Sequence, residues 1–539
     1  MTRSWWGWGD EEKHLNAAAI DGLAQVVAGM LGGPPPTPVE IRDPASLVPT
    51  PRVSLPNALS HLGSTAPIDR VRHARGNSYR DVVRALHGEL PGYPDLVVRP
   101  HTDDDVERLL TWAAEADVAC VPFGGGSSVV GGVTGGGVTR GGRPRPVAAM
   151  DLEHLAGVTE VDAVSRAAYV RGGTYGPAIN EALRPHDLTL RFFPQSWEFS
   201  TMGGWAATRA GGHFATGPTH IDDLIESVDA ITPAGRWSSR RLPASGAGPS
   251  PDRLLLGSEG AFGVITGAWV RVQARPTFRA SATVSFQDLH AGLDALRAIT
   301  QSGLQPSNAR LLDAAEAALN GAGDGSHAVL ALGYEGAGFA GTDHPLGPVL
   351  AHTLELCRDH GGTVTDGPHT RTGDTTGEAS GGAGAWRASF LAAPYLRDAL
   401  VRLGVIVETF ETATTWDRVH DLVEDVPRAA RDAATQLCGT ASVSVRVTHA
   451  YVDGCAPYVT VLAPGVRGQE VDRWDAIKTA ASEAILAGGG TITHHHAVGR
   501  DHAPWYGRQV PPLHTAAMTA VKATLDPAGI MNPGVLGLA

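Results

Sequence analysis

The sequence predicts an α+β protein with two principal domains. The chain has 539 residues, and a single hydrophobic core rarely grows to that size, so the length favours two to four domains. A β-α-β pattern runs from residue 96 to 128 and ends in a run of glycines. From about Ala280 a different series of strands and helices begins, which indicates a second unit.

The first 91 residues predict an N-terminal arm. Trp5, Trp6 and Trp8 are bunched together with two glycines, and Pro34–Pro36 marks a loop or linker. We expect the tryptophans to pack against the rest of the protein or to anchor an interface.

The β-α-β unit has clear local signals. Residues 96–98 form a short apolar β run, and Thr102 can cap a helix whose first turn holds three aspartates. Apolar residues then recur at helical spacing. A second strand, predicted over residues 118–121, leads directly into the glycines.

Beyond residue 276 the pattern changes. We predict a strand over 281–286, a helix over 289–299 and a late helix over 515–524. Residues 366–385 are rich in glycine, threonine and charge, and they predict an exposed, mobile loop.

Composition narrows the function classes. The net charge of −13 disfavours nucleic acid, which needs a basic face. No apolar run is long enough for a transmembrane helix, and the first residues lack the apolar stretch of a signal peptide. The four cysteines form no C-x-x-C pair, so we expect reduced thiols in a cytoplasmic protein.

The glycine run is the first candidate binding element. Three successive glycines, Gly124–Gly126, allow a tight turn and a close approach of the backbone to a ligand. Their N–H groups can converge on a pyrophosphate. The run matches neither the P-loop nor the Rossmann pattern, and taken alone a plain flexible turn is its commoner explanation.

Two further segments change that balance. The stretches 122–128, 194–212 and 256–266, in this order and spacing, resemble the FAD-binding domain of the vanillyl-alcohol-oxidase superfamily. The resemblance implies loops that wrap the pyrophosphate and ribityl chain of FAD mainly through backbone groups. The residues that it places against FAD are Pro122, Phe123, Gly124, Gly125, Gly126, Ser127, Ser128, Pro194, Ser196, Ser200, Thr201, Gly203, Gly204, Thr208, Ala210, Glu259, Gly260, Gly263, Val264 and Ile265.

Other segments narrow the family. The stretches 6–9, 308–313, 394–398, 408–413, 416–418 and 446–451, together with three consecutive histidines, resemble the alkyldihydroxyacetonephosphate synthase family, and the resemblance runs from residue 5 to 534. Members exchange the acyl group of acyl-dihydroxyacetone phosphate for a long-chain alcohol and require FAD, although the net reaction is not a redox reaction.

The resemblance implies a two-domain FAD-binding fold of the vanillyl-alcohol-oxidase type with an antiparallel-sheet cap domain. We expect an N-terminal arm over 1–91, an FAD-binding domain over 92–276, a substrate or cap domain over 277–500, and a C-terminal segment over 501–539 that packs near the FAD domain. The flavin ring is expected between the two domains, where ligand sites concentrate.

The resemblance also assigns roles. Tyr458 matches the catalytic tyrosine, and a tyrosine can accept a proton if its neighbours lower its pKa. Arg397 matches the arginine that binds the substrate phosphate, Arg310 matches an arginine needed for activity, and His494, His495 and His496 match the essential histidines. Without the resemblance, a packed strand tyrosine, structural ion pairs and a solvated loop explain the same residues.

We predict no metal, because neighbouring residues in an extended chain point to alternate sides and three cannot easily meet at one ion. The expected partner is a small-molecule or lipid-like anionic substrate; a peripheral membrane contact and a homodimer are compatible with this reading.

The chain departs from the family pattern at Pro218-Thr219-His220, at Ala388-Ser389-Phe390 and at Ala497. Two alternatives therefore stay open. One is an FAD-dependent 2-hydroxy-acid dehydrogenase of the D-lactate type, whose members usually carry Gly-Glu-His at the histidine run. The other is a non-catalytic flavin-binding protein.

Overall fold

The structure is a computed structural model. It describes residues 2–135, 138–338, 344–373 and 382–538, and at residues 45 and 382–391 it describes the backbone alone.

The β-strands, in chain order, are β1 Gly63–Ser64, β2 Leu96–Val98, β3 Ala119–Phe123, β4 Thr139–Arg140, β5 Arg143–Pro144, β6 Val147–Asp151, β7 Val158–Asp162, β8 Ala167–Arg171, β9 Leu188–Thr189, β10 Ile225–Thr232, β11 Gly235–Ser238, β12 Val264–Arg271, β13 Gln273–Ala274, β14 Phe278–Phe286, β15 Asn308–Leu312, β16 Ala328–Gly336, β17 Thr363–Thr372, β18 Val405–Glu411, β19 Thr414–Thr415, β20 Ser442–Ala450 and β21 Gly454–Pro464.

The α-helices, in chain order, are α1 Ala17–Leu31, α2 Pro67–Arg72, α3 Tyr79–His87, α4 Asp103–Glu115, α5 Gly176–Leu183, α6 Met202–Thr208, α7 Pro251–Leu255, α8 Leu289–Gln301, α9 Ala314–Leu319, α10 Gly347–Asp359, α11 Gly382–Arg402, α12 Val419–Cys438, α13 Glu470–Ala487, α14 Ala503–Gln509 and α15 Pro512–Leu525.

A small sheet carries the glycine run. Its order is β1-β2-β6-β3, with β2, β6 and β3 parallel, and the glycines follow directly from the end of β3. The helix α4 that connects β2 to β3 begins with a capping box, in which Thr102 Oγ1 accepts from Asp105 N at 3.1 Å and the Asp105 carboxylate accepts from Thr102 N at 3.0 Å.

A second sheet packs beside the first. Its order is β11-β10-β12-β8-β7, and all of its pairs are antiparallel. Helices α5 and α6 cover it, and the buried Trp205 of α6 lies in the core between them. The segment between α6 and β10 leads towards the histidine run.

The largest sheet is antiparallel and has the order β17-β14-β16-β15-β20-β21-β18, with β19 pairing to β21. On β20 the residues Val443, Val445 and Val447 alternate with polar ones and point into the main hydrophobic core. Helices α8, α10 and α12 contribute to that core, so the opposite, polar face of β20, β21 and β18 is left to build a site.

The two ends of the chain close the molecule. Trp5 and Trp6 lie buried in the core of the large sheet, and Trp8 packs on Phe199 of the FAD-type region. Near the other end, Cys120 N of β3 donates to Ile530 O, and Asn532 N donates to Cys120 O. The domain bounds 1–91, 92–276, 277–500 and 501–539 stay a prediction.

The local predictions had mixed outcomes. The strand at 96–98 and the cap at Thr102 are confirmed, while the second strand begins and ends later than predicted. The predicted loop over 366–385 is wrong where the structure describes it, because residues up to 372 form the edge strand β17 and residues from 382 begin α11. An edge strand exposes most of its side chains, so its composition is polar like that of a loop. Residues 374–381 lie outside the described residues.

Within the described residues, no helix combines the length and apolarity that a membrane crossing requires.

Candidate active site

A cleft opens beside the glycine run, and we call it the glycine cleft. The lining residues that the sequence predicted are Pro122, Phe123, Gly124, Ser128, Thr201, Gly203, Gly204, Thr208, Glu259, Gly260, Gly263 and Ile265. The lining residues that it missed are Gly132, Val133, Leu152, Ala207 and Asn532.

The backbone N–H groups of residues 124–128 form what we call the glycine nest. Among the residues that the structure describes, these N–H groups find no hydrogen-bond acceptor. The carbonyls are held from outside: Arg3 Nη2 donates to Gly124 O at 3.2 Å, and Asn77 donates to Gly126 O at 2.7 Å and to Ser128 O at 2.5 Å. N–H groups without an acceptor in a glycine-rich loop suit an anion. Gly124 and Ser128 line the glycine cleft, so the residues present fit the pyrophosphate of FAD.

Gly125 has a different purpose from the one predicted. A Cβ at this position would lie 1.6 Å from the carbonyl oxygen of Phe199. The missing side chain therefore lets two backbone segments pack together, and this contact sets the shape of the nest. With Gly126, Gly125 lines a smaller cavity on the other side of the loop, together with Arg3, Arg72 and Arg75.

Some predicted cofactor residues do not line the glycine cleft. They are Gly125, Gly126, Ser127, Pro194, Ser196, Ser200, Ala210 and Val264. Val264 is fully buried in a hydrophobic core, and Ser200 Oγ accepts from Trp205 Nε1 at 2.6 Å. These two side chains stabilise the walls of the site.

Glu259 is a bridge between distant parts of the chain. Its carboxylate accepts from Val498 N at 2.9 Å and from Gly499 N at 2.7 Å, just after the histidine run. Burial raises its pKa to about 7. Glu259 thus ties the wall of the glycine cleft to the segment that carries the histidines.

The polar face of the large sheet carries the second half of the site. Tyr458 on β21 stands directly opposite Arg446 on β20 and Glu411 on β18. Residues opposite each other in a sheet share a face, so these three side chains form one row. All three are largely buried from solvent.

Glu411 is held by what we call the histidine nest, the backbone N–H groups of residues 494–496. These three N–H groups donate to Glu411 Oε1 at 2.9, 2.7 and 2.8 Å, and the Thr493 hydroxyl donates to the same oxygen at 2.8 Å. His496 Nδ1 lies 3.0 Å from the other carboxylate oxygen. Although burial opposes it, the neighbouring histidines and the N–H groups hold the pKa of Glu411 well below its ordinary value.

The histidine side chains form a network. His494 Nε2 lies 2.7 Å from the Tyr451 hydroxyl, and its Nδ1 lies 3.0 Å from His495 Nδ1. His220 Nε2 donates to His494 O at 3.0 Å, and His449 packs against the same rings. Burial, followed by neighbouring histidines, holds the pKa of His494 and of His449 well below the ordinary value.

Two histidine rings pack near Tyr458. The His495 ring is nearly parallel to the Tyr458 ring, with centroids 6.3 Å apart, while His496 approaches the Tyr458 ring edge-on at 5.8 Å. Burial lowers the pKa of His495 to about 3, so its imidazole is neutral at physiological pH.

The surroundings of Tyr458 raise its pKa and do not lower it. Burial raises that pKa above its ordinary value, and Glu411 and Glu316 act in the same direction. Arg446, whose guanidinium carbon lies 3.8 Å from the ring centroid, acts in the opposite direction. A hydrogen bond with Thr409 also lowers the pKa.

The absence of a metal stays a prediction, although residues 494–496 bend around Glu411 and are not extended as that prediction assumed. Ligand atoms of His449, His494 and His495 lie within 4.8 Å of one another, as do those of Glu411, His495 and His496. Both ring nitrogens of His449 already have hydrogen-bond partners, Thr448 Oγ1 and Gly212 O.

The two predicted arginines are in different places. Arg310 on β15 is buried, donates to Asn308 Oδ1 and to His213 O, and lies close enough to Arg446 for their charges to interact. Arg397 donates to Asn77 O at 2.6 Å and to Asp398 Oδ1, on the side of the glycine nest. Among the described residues, no contact joins Arg397 to the histidine network.

The departure at residues 218–220 lies inside the site. The Thr219 hydroxyl is 3.1 Å from the Tyr451 hydroxyl, and His220 contacts His494 as described above. The side chains of Ala388, Ser389 and Phe390 lie outside the described residues. Ala497, with a φ of +76°, accepts from His502 Nδ1 through its carbonyl.

Sequence reasoning missed Glu411, Arg446 and His449 as individual residues, although it used the segments that contain them. One signal was available: strict alternation of valines with polar residues over 443–448 places Arg446 on a polar strand face. No sequence pattern indicates that Glu411 accepts hydrogen bonds from the histidine nest, because Glu411 and the histidines are far apart in sequence.

Comparison with known families supports this architecture. Residues 94–239 match the FAD binding domain, and residues 275–536 match the C-terminal domain of FAD linked oxidases. The chain is similar to the alkyldihydroxyacetonephosphate synthases of Dictyostelium discoideum, with 27% identity over 86% of this chain and 76% of the relative, and of Caenorhabditis elegans, with 28% identity over 86% and 79%.

A solved structure of an alkyldihydroxyacetonephosphate synthase superposes with a TM-score of 0.79 at 23% identity, covering 98% of both chains. A substrate-bound p-cresol methylhydroxylase superposes with a TM-score of 0.65 at 12% identity, over 97% of this chain and 98% of the other. These likenesses confirm the predicted two-domain flavoprotein fold with an antiparallel second domain. FAD is the cofactor of this chain.

Proposed function

We propose that this chain exchanges the acyl group of an acyl-dihydroxyacetone phosphate for a long-chain alcohol. It belongs to the alkyldihydroxyacetonephosphate synthase family of FAD-dependent enzymes. The C1–O bond to the carboxylate breaks, and a C1–O bond to the alcohol forms. The observation that carries the proposal is the row of Arg446, Tyr458 and Glu411 beside the histidine network.

The phenolate form of Tyr458 is the proposed acceptor of the C1 proton, so the phenol must lose its own proton to solvent before it can take that of the substrate. Its ring is largely buried beside His495 and His496. His495 stacks near the ring and helps to hold its orientation. When bound in the glycine cleft, FAD would supply an electron-accepting ring.

The remaining assigned residues position the substrate. The Glu411 carboxylate fixes the backbone of the histidine run, and through it the direction of the three rings. Arg446 adds positive charge to the polar face, which suits a substrate that develops negative charge after loss of a proton. Arg310 lies buried close to it.

The test is the Tyr458→Phe variant. Phenylalanine keeps the ring and the strand packing but removes the oxygen, so we expect FAD content and melting temperature near those of the wild type. Exchange of the C1 proton with deuterated solvent should fall roughly a hundredfold or more, the usual scale of general-base catalysis. Tyr506→Phe, which loses a hydroxyl on the half-exposed α14, is the matched control and should keep the exchange rate.

Undiminished exchange in Tyr458→Phe would return this residue to a packing role. Rapid bleaching of the flavin by D-lactate would instead favour the 2-hydroxy-acid dehydrogenase. An unchanged flavin absorbance with every substrate would favour a non-catalytic flavoprotein.

Arg397 is proposed as the site of the substrate phosphate. Its side chain is mostly buried beside the glycine nest, and Asp398 and Asn77 already orient the guanidinium. Arg397→Lys loses the fork, and about 5- to 150-fold weaker binding of the anionic substrate is expected. The exposed Arg418→Lys is the control, and an equal KM change in both variants would remove Arg397 from this role.

A cytoplasmic location is proposed as well, and the four free cysteines support a reducing compartment. A lipid-like substrate is consistent with exposed apolar residues on two helices, Val26 and Met30 on α1 and Leu513 on α15. The same residues support the proposals of a peripheral membrane contact and of a homodimer.

A further inference from the structure

Arg446 makes a contact with Tyr458 that the positive charge it adds to the polar face does not explain. It stands opposite Tyr458 in the register of β20 and β21, and its guanidinium carbon lies 3.8 Å from the centroid of the phenol ring. At this distance the cation interacts with the face of the ring and with any negative charge on its oxygen.

We propose that Arg446 is a positioning residue that stabilises the ionised form of Tyr458 while the phenol accepts and returns its proton. The inference rests on the proposed function, since it gives a purpose to the ionisation of Tyr458. It concerns a residue that the sequence did not assign.

The position of Arg446 is fixed from behind. Its Nη1 donates to Glu316 Oε1 at 2.5 Å, and the Ser444 hydroxyl donates to the other carboxylate oxygen of Glu316. Glu316 lies in the first turn of α9, where Asp313 caps the helix. A guanidinium held in this way keeps its place on the ring and cannot swing towards solvent.

The other charges around Tyr458 do not replace it. Glu411 faces the phenol from β18, Glu316 lies behind Arg446, and both raise the pKa of Tyr458. His495 and His496 approach from the histidine run, and Thr409 contributes a hydrogen bond from β18. Arg446 is the cation that opposes burial and the two carboxylates.

The experiment measures the ionisation of Tyr458 directly, without substrate. 3,5-Difluorotyrosine is placed at position 458 of the full-length holoenzyme, because its ring fluorines bring the phenol pKa into the neutral range. The ¹⁹F signal is then followed against pH. We expect Arg446→Met to move the midpoint to higher pH by about one unit, because the phenolate loses its cation.

Two further variants separate charge from folding. Arg446→Met leaves the buried Glu316 carboxylate without its partner, which destabilises a fold. The double variant Glu316→Gln/Arg446→Met removes both charges and should also give a higher midpoint. Arg446→Lys keeps the charge and should recover part of the shift.

The exposed Arg428→Met is the matched control and should leave the midpoint in place. An unchanged midpoint in both Arg446→Met and the double variant would overturn the role of Arg446, whether or not Tyr458 is the base. Undiminished C1 exchange in Tyr458→Phe would remove Tyr458 as the base in the proposed function, whatever the midpoint does.

Discussion

The glycine nest and the histidine nest are both built from backbone N–H groups, but only the histidine nest holds an acceptor from the protein itself. Both consist of successive backbone N–H groups in a short loop segment, and those of the histidine nest converge on Glu411 Oε1. The histidine nest is filled by the protein's own Glu411, whereas the N–H groups of the glycine nest have no acceptor among the described residues.

The difference shows how a fold separates a structural anion site from a ligand site. A carboxylate supplied by the chain is always present, so the histidine nest is a permanent part of the fold. The glycine nest keeps its shape because Arg3 and Asn77 hold its carbonyls from behind, which leaves the N–H side ready for an anion that arrives later.

The largest effect should come from closing the glycine nest. Gly125→Ala places a Cβ where the Phe199 carbonyl lies, at 1.6 Å, so the loop must move and the N–H groups no longer converge. We expect purified Gly125→Ala to contain almost no FAD, measured by its absorbance. Gly507→Ala, whose Cβ meets nothing within 4 Å, should keep a full complement. Normal FAD content in Gly125→Ala would show that the loop shape is not what binds the cofactor.

Removing the charge of Glu411 from the histidine nest should have the next largest effect. Glu411→Gln keeps the shape but loses the charge that four donors and His496 surround, so the free energy of unfolding at pH 7 should fall by about 2–4 kcal/mol. Activity should fall with it, because the histidine rings lose their orientation. Chemical denaturation is the measurement, with the exposed Glu424→Gln as the control.

The difference in stability between the wild type and Glu411→Gln should depend on pH. The folded-state pKa of Glu411 is lowered from the ordinary 4.5, so its ionised form contributes stability that is fully present above about that pH. As the pH falls below 4.5 and through the folded-state value, the contribution is lost, and the gap between wild type and Glu411→Gln should shrink. A gap that widens in acid would contradict the assigned ionisation state.

The smallest effect should come from loosening the frame of the glycine nest. Asn77→Ala removes the side-chain bond to Gly126 O but leaves the backbone bond to Ser128 O, so FAD should bind about 5- to 30-fold more weakly. Fluorescence titration of the apoprotein with FAD measures this. Asn16→Ala removes a helix cap elsewhere and should leave FAD affinity unchanged; equal losses in both would mean that overall stability governs binding.

Local patterns and the resemblance were enough to predict much of this architecture. The cap at Thr102 follows from the side chains next to it, and most of the glycine cleft lies in contiguous motifs. The contact of Glu411 with the histidine nest could not be predicted from the sequence, because it depends on the tertiary placement of β18, where Glu411 pairs with Tyr458 of β21. The raised pKa of Tyr458 was missed for a related reason, since burial depends on the whole fold.

The closing contact of the glycine cleft comes from the far end of the chain. Asn532 lines the cleft and donates to Gly132 O at 2.9 Å and to Glu259 O at 2.7 Å, across a gap of 400 residues in the first case. The wall of the cleft is therefore complete only after the segment around residue 532 has been synthesised and has packed against residues 132 and 259.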